Sequence, residues 1–368
     1  MLDLPTQKTR KSPGMSLQDI KALAQQLEPG LSPAEYLKQL VAFGFFKALL
    51  PEKHGGSGIA TDAVRAPDCM DFLRILGNKD LSLGRCVEGH INVIRLMYLY
   101  ATPAQFAAFA MAVQDGALAG IWVTDSSSLV HLKEYTLSGV KGFGSAIHLA
   151  QWALITAQSE ANESLMLFVP VGDKQRIGPG PGPLSGMRES DTGSYDFNGL
   201  EISPEAIIGQ PGDYLRQPEF SAGAWRGSAV ALGGIDRLVD LLRHELRVRH
   251  RTGSPFQQER VGHAMIARET AAMWTARAAM IAYDRTQETG DISAIVNLAR
   301  IAVEQAGLQI ITLVQRGLGL SAFLQNNPVE KTMRDLAVYL RQAAPDETLT
   351  EAAVWFIDRE PPVAGWMS

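Results

Sequence analysis

G-I-W-V-T-D-S-S-S at 120–128, L-S-G-V-K-G-F-G-S-A at 137–146 and G-M-R-E-S-D-T-G-S-Y-D-F-N-G at 186–199 mark a stretch, 120–209, unlike the chain on either side of it. Within it, the short runs 152–157 and 165–169 read as strands, bounded by Gly, Pro, Ser and Asn turn signals. Gly178-Pro-Gly-Pro-Gly-Pro183 lacks the donors and side chains of regular sheet and reads as a loop. Before Ala117 and after Pro218 the apolar residues recur at helical spacing instead. The pattern predicts a β module between two helical blocks, with domains at 1–115, 116–214 and 215–368. Sites form readily at such seams.

The N-terminal block should open with a helix over 16–27, followed by one that starts at Ser32-Pro33. Serine is a good N-cap, and proline suits the first helical position. Further helices are expected over 62–76, over 81–101 and from Pro103. After Pro218 the spacing predicts long helices over 219–251, 257–287 and 292–324, another from Pro328, and a last one capped by Asp346-Glu347-Thr348. Long helices joined by short turns form antiparallel bundles.

The 368 residues suffice for two or three units with substantial cores. With 46% hydrophobic and 20% charged residues the chain reads as a soluble globular protein, and a net charge of −5 argues against a nucleic-acid binder. Two cysteines make no disulfide scaffold and fit a reducing, cytoplasmic setting. The N-terminus lacks the apolar core of a signal peptide, and no membrane span is expected. The seven histidines show no metal-ligand spacing, and neither a P-loop nor a G-x-G-x-x-G follows an expected strand. Arg243, Arg247 and Arg251 stand four apart, as a basic stripe suited either to solvent or to phosphate oxygens. Gln315-Arg-Gly-Leu-Gly319 interrupts a helical pattern and reads either as a C-cap or as a backbone approach to a ligand. Ser126 to Ser128 lie in no nucleophile elbow and fit hydroxyl donors to a polar ligand.

Taken in order, these pieces resemble the acyl-CoA dehydrogenase family, from about residue 16 to 341. Pro51-Glu-Lys-His-Gly-Gly56 is similar to its P-E-x-x-G-G loop, and Val123-Thr-Asp-Ser126 to its T-E-P strand end. Residues 139–145 match G-x-K-x-(aromatic)-x-(Ser/Thr), and 186–193 match G-M-R-x-S-x-T. Pro328-Val-Glu-Lys331 with Arg334-Asp335 matches the closing P-V-E-(K/R)…R-D. The resemblance implies an N-terminal helical domain, a central β-barrel or sandwich domain and a C-terminal four-helix bundle. It also implies FAD, an acyl substrate carried as a CoA or carrier-protein thioester, and a homodimer or homotetramer. By carry-over, Trp122, Thr124, Ser126, Phe143 and Ser145 would line the flavin. Arg251 (or Arg249), Gln315, Gly317 and Gly319 would meet it from a second subunit, and Arg188 would contact substrate.

A dehydrogenase of this family removes the proton alpha to the thioester carbonyl with a glutamate. Its two known positions fall here on Ala343 and Trp225. Glu347 is the nearest spare carboxylate, and His90 lies where flavin monooxygenases of the same fold may keep a histidine. The expected function is therefore an acyl-CoA dehydrogenase-type FAD oxidoreductase with an unusual or missing glutamate. The alternatives are a flavin monooxygenase and a flavin-binding scaffold without turnover.

Overall fold

The computed structural model describes residues 15–363 except 17, 20, 21, 23–25, 28, 29, 181, 326 and 361. Half of the helix expected over 16–27 lies outside the described residues. The next helix, α1 (Pro33–Ala42), starts as its sequence predicts: Ser32 and Glu35 form a reciprocal capping box. It is followed by α2 (Phe45–Leu49), α3 (Ala66–Lys79), α4 (Leu81–Tyr100) and α5 (Pro103–Gln114), the last opened by a second capping box from Thr102 and Gln105.

The β module holds two sheets. In the larger, β5 (Trp152–Gln158) pairs antiparallel with β6 (Ser164–Pro170) over its whole length. The other edge of β5 takes β1 (Ala119–Trp122) and β2 (His131–Lys133), both parallel to it. Strand β3 (Thr136–Ser138) continues that side, and short strands close both ends. The smaller sheet is built on β4 (Val140–Gly144) and the strand Gly193–Asp196. Trp122, Leu154's neighbour Ile155, Tyr195 and Phe197 fill a core of their own between the two sheets.

The bundle begins with the short α6 (Glu219–Ala222) and α7 (Ala224–Val248), which Gly223 separates. Then come α8 (Pro255–Ile281), α9 (Thr289–Leu318), α10 (Pro328–Tyr339) and α11 (Pro345–Ile357). The N-cap of α11 is Ala344, not the expected acidic run. Asp346 and Glu347 sit in its first turn, where the helix dipole favours negative charge. By length and composition α9, with the turn after it, could cross a membrane; here it packs along α7, α8 and α11.

Two devices join the blocks. Lys331 on α10 reaches Asp80 and Asp335 and also Glu189, each at 2.9 Å, so one ammonium ties all three blocks together. Asp335 also accepts from the Met187 N–H at 2.7 Å. At the second, α3 crosses α7 on glycine. A methyl on Gly77 would stand 2.1 Å from the Val230 carbonyl oxygen, and one on Gly233 would stand 2.0 Å from that of Arg74.

Candidate active site

A cavity of about 360 Å³ opens where the three blocks meet. Four polar residues of α4, Arg85, Glu88, Asn92 and Arg95, stand at i, i+3, i+7 and i+10 on one face of its helical wall, with Leu96 and Leu99 beside them. The β module supplies Ile121, Val123 and Thr124 from the end of β1, and the half-exposed ring of Phe143 on β4. The bundle closes it with Trp225 and Arg226 in the first turn of α7, Tyr283 past α8, Arg285, and Arg300 with Gln342. A narrow extension of about 90 Å³ runs inward from Arg85 and Glu88 to Ser228 and Tyr339.

The wall is a connected polar network. Glu88, which is 6% exposed, accepts from Arg85 at 2.5 Å and from the Asn92 amide. Asn92 Oδ1 accepts from Arg226 at 2.7 Å, and Arg226 donates to the Tyr283 hydroxyl at 2.9 Å. Arg226 also lies 5.1 Å from the Trp225 ring centre. Arg95 lies 4.8 Å from the Tyr283 ring centre and donates to the Thr61 carbonyl at 2.7 Å. Burial pulls its pKa down, and the charges of Arg226 and Arg285 add to that. Arg285 pairs with Glu219. Arg300 is held by the Ala343 carbonyl at 2.5 Å and the Thr348 hydroxyl at 3.1 Å, with its pKa likewise lowered by burial. Both cavity carboxylates are therefore engaged by arginine.

No protein-family model matches the chain. Over 338 residues it is 24% identical to a probable medium-chain specific acyl-CoA dehydrogenase of Caenorhabditis briggsae, covering 85% of this chain and 80% of the relative. The butyryl-CoA dehydrogenase of Megasphaera elsdenii superposes with a TM-score of 0.79 at 16% identity, covering 93% of this chain and 98% of that one. The chain has the acyl-CoA dehydrogenase fold. A monooxygenase shares the fold: TdsC of Paenibacillus sp. A11-2, a dibenzothiophene monooxygenase, superposes in its FMN-bound form with a TM-score of 0.78 at 18% identity, covering 96% of this chain and 98% of that one.

The chain brings Thr124 and Phe143 together in the cavity, along with Trp225 and the neighbourhood of Ala343. Trp122 does not line it. The alternation of β1 turns its indole into the β core, where it donates to the Ser145 carbonyl at 3.0 Å. Ser126 and Ser145 also stay outside the wall. Arg188 is exposed beside Leu184 and Thr192, at a different surface recess. Glu347 is exposed on α11 and does not reach the cavity.

His90 is a correction of a different kind. It is fully buried, stacks 4.7 Å from Phe46, and its Nδ1 accepts from the Ala119 N–H at 3.1 Å. Burial pushes its pKa down to about 3, so the ring is neutral and joins α4 to β1 rather than facing the cavity.

The basic stripe also changes. Helix α7 stops at Val248 and His250 turns with φ 52°, so Arg251 leaves the row of Arg243 and Arg247. Arg249 is held by Glu245 at 2.6 Å, whereas Arg251 is exposed and has no ion pair among the described residues. Gly319, with φ 64° and ψ −146°, is the C-cap of α9 and takes a conformation reserved for glycine. Gly317 allows α9 to approach α7, since an added methyl would sit 3.0 Å from Leu242; its carbonyl accepts from Gln257 at 3.1 Å. Gln315 is half-buried on the preceding turn.

The sequence reading passed over Arg85, Glu88, Asn92 and Arg95. Their spacing is itself the missed signal: a polar stripe inside a helix that is otherwise buried on most sides. Among the described residues, no group of three or more His, Cys, Asp or Glu could hold a metal.

Proposed function

We propose that this chain is a flavin-dependent oxidoreductase, and that it oxygenates or oxidises its substrate without the free glutamate that desaturates ordinary acyl thioesters. The carrying observation is the cavity's charge pattern. Trp225 and Ala343 stand at the two base positions of the family, and Glu88 and Glu219 are both clamped by arginine. Each of these carboxylates is taken up by a guanidinium, so neither stands free beside the substrate.

The cavity suits a flavin. The half-exposed ring of Phe143, with Ile121 and Val123, gives the cavity an apolar patch for an aromatic ring system, and Thr124 lines the cavity beside them. Such a cofactor supplies two-electron redox chemistry when bound; the residues around it orient the substrate and keep water out. FAD is the form the resemblance implies. Arg251 suits its diphosphate, but from a second copy. It lies beyond the far end of α7, about 35 Å along the helix from Trp225 at a rise of 1.5 Å per residue. Exposed Ile266, Met273 and Met280 recur every seven residues along α8, as the apolar stripe of a homo-oligomer would.

One observation favours a second reading. Glu88 is a buried carboxylate on the cavity wall and is positioned to act as a relocated base of a dehydrogenase. The two readings separate on the purified, flavin-loaded protein. Anaerobic bleaching of the flavin by butyryl-, octanoyl- or palmitoyl-CoA, reduced roughly 10²–10⁴-fold in Glu88→Gln, supports the dehydrogenase. Substrate-dependent oxygen uptake with reduced flavin, without bleaching by thioesters, supports the first reading. A protein that takes up no flavin at micromolar concentration refutes both.

A further inference from the structure

The cavity is strongly cationic. Five guanidinium groups line it, those of Arg85, Arg95, Arg226, Arg285 and Arg300, against the carboxylates of Glu88 and Glu219. Arg85 and Arg285 pair with those two. Arg95, Arg226 and Arg300 make no ion pair among the described residues, and Glu88, Glu219 and Glu304 act on them only from a distance, so the lining holds five guanidinium groups against two carboxylates. Arg226 is 4% exposed, and its Nε has no hydrogen-bond partner. The Arg300 Nε is likewise buried and unpartnered. Burying unpaired charge is costly unless something of the opposite sign enters. Arg95 and Arg226 converge on Tyr283: one packs over its ring and the other donates to its hydroxyl.

Resting on the flavoprotein reading above, we infer that the substrate carries its own carboxylate into this cavity, to be received between Arg95 and Arg226 beside Tyr283. The planar fork of arginine matches the two oxygens of a carboxylate. A carboxylate also explains why the site keeps so many cations around one aromatic floor. A plain acyl chain would need apolar walls at this point, and here it would meet guanidinium groups. The aliphatic and aromatic surfaces of Leu96, Leu99 and Trp225 remain for the body of the substrate.

The test compares acids with their neutral isosteres. Benzoate and benzamide, and hexanoate and hexanamide, are titrated calorimetrically into the flavin-loaded protein at low salt. The acids should bind at least about tenfold more tightly than the amides, the size of a charge-assisted hydrogen bond. Raising the salt should narrow the ratio. Arg95→Gln should reduce it toward one while amide binding is kept. Arg226→Gln should do the same if it folds, and the half-exposed Arg285→Gln should change it much less. Equal binding of acid and amide, or no binding of either, overturns the inference while flavin uptake is unaffected. Acid preference seen only before flavin is loaded assigns the positive charge to the cofactor's phosphates and also overturns it. If the protein takes up no flavin, the acid-to-amide ratio of the protein as purified still decides the inference by itself.

Discussion

Several residues that carry the family resemblance hold the fold rather than the ligand. Lys141, of the G-x-K motif, is fully buried and donates to Asp125 at 2.7 Å, Thr156 at 3.1 Å and the Val123 carbonyl at 3.2 Å. It thereby sets the strand end that presents Val123 and Thr124 to the cavity. Lys141→Met should leave the Asp125 carboxylate without its cation and cost about 3 kcal/mol, read as a lower denaturant midpoint. His90 makes a second prediction. With a folded pKa of about 3 against an ordinary 6.5, it binds more protons unfolded than folded as pH falls between those values. Its contribution is complete above pH 6.5 and is lost as pH drops toward 3. By pH 5 the loss should be about 2 kcal/mol. His90→Gln, which can still accept from the Ala119 N–H, should remove that part of the acid sensitivity. An unchanged pH slope in the variant would show that His90 is not its source.

At the scale of elements, the contact between α3 and α7 places Trp225 and Arg226 opposite α4. It is also the least tolerant of change. Gly77 and Gly233 each face a backbone carbonyl across the crossing, and backbone cannot swing aside as a side chain can. Gly233→Ala should force the helices apart and cost about 3 kcal/mol or more, well beyond the ordinary range of single substitutions. The displacement should also disturb the cavity wall, so flavin affinity should fall together with stability. A surface glycine such as Gly262, with open space around it, serves as the control: Gly262→Ala in mid-α8 should be neutral or slightly stabilising. Equal melting temperatures for the two variants would contradict the close-crossing account.

The whole molecule presents an apolar stripe on α8 and a free arginine beyond α7, and one assembly satisfies both. A second copy packed on Ile266, Met273 and Met280 would cover surface that a monomer leaves to water. It would also bring Arg251 to a partner's cofactor. The protein should elute as a dimer or larger in light scattering. Ile266→Glu with Met273→Glu should shift it to monomer and weaken flavin binding at the same time. Arg251→Ala should keep the assembly and lower flavin affinity roughly tenfold to a hundredfold, the effect of one charge-assisted hydrogen bond. A monomeric wild type that holds flavin tightly would rule out a site completed by a partner.

The sequence by itself determined the order of helical, β and helical segments and the fold class. Turn residues punctuate the β module, Ser-Pro and Thr-Pro start helices where caps are needed, and the motifs run in the family's order. These are local signals: each depends on a few consecutive residues and on the period of one element. Thr124 and Phe143 were legible in the same way, because they sit within motifs. What only the tertiary structure decided is which side chains meet. Arg85, Glu88, Arg226, Arg300 and Gln342 are scattered over some 260 positions and converge because three blocks pack at one seam. Trp122 and Thr124 are two residues apart. The indole is buried in the β core, while Thr124, beyond the end of β1, reaches the cavity. His90 is neutral because packing buries it, and Arg251 stands apart from the stripe because α7 ends three residues before it. Burial, partner and charge state arise from packing faces together, and no stretch of sequence carries them alone.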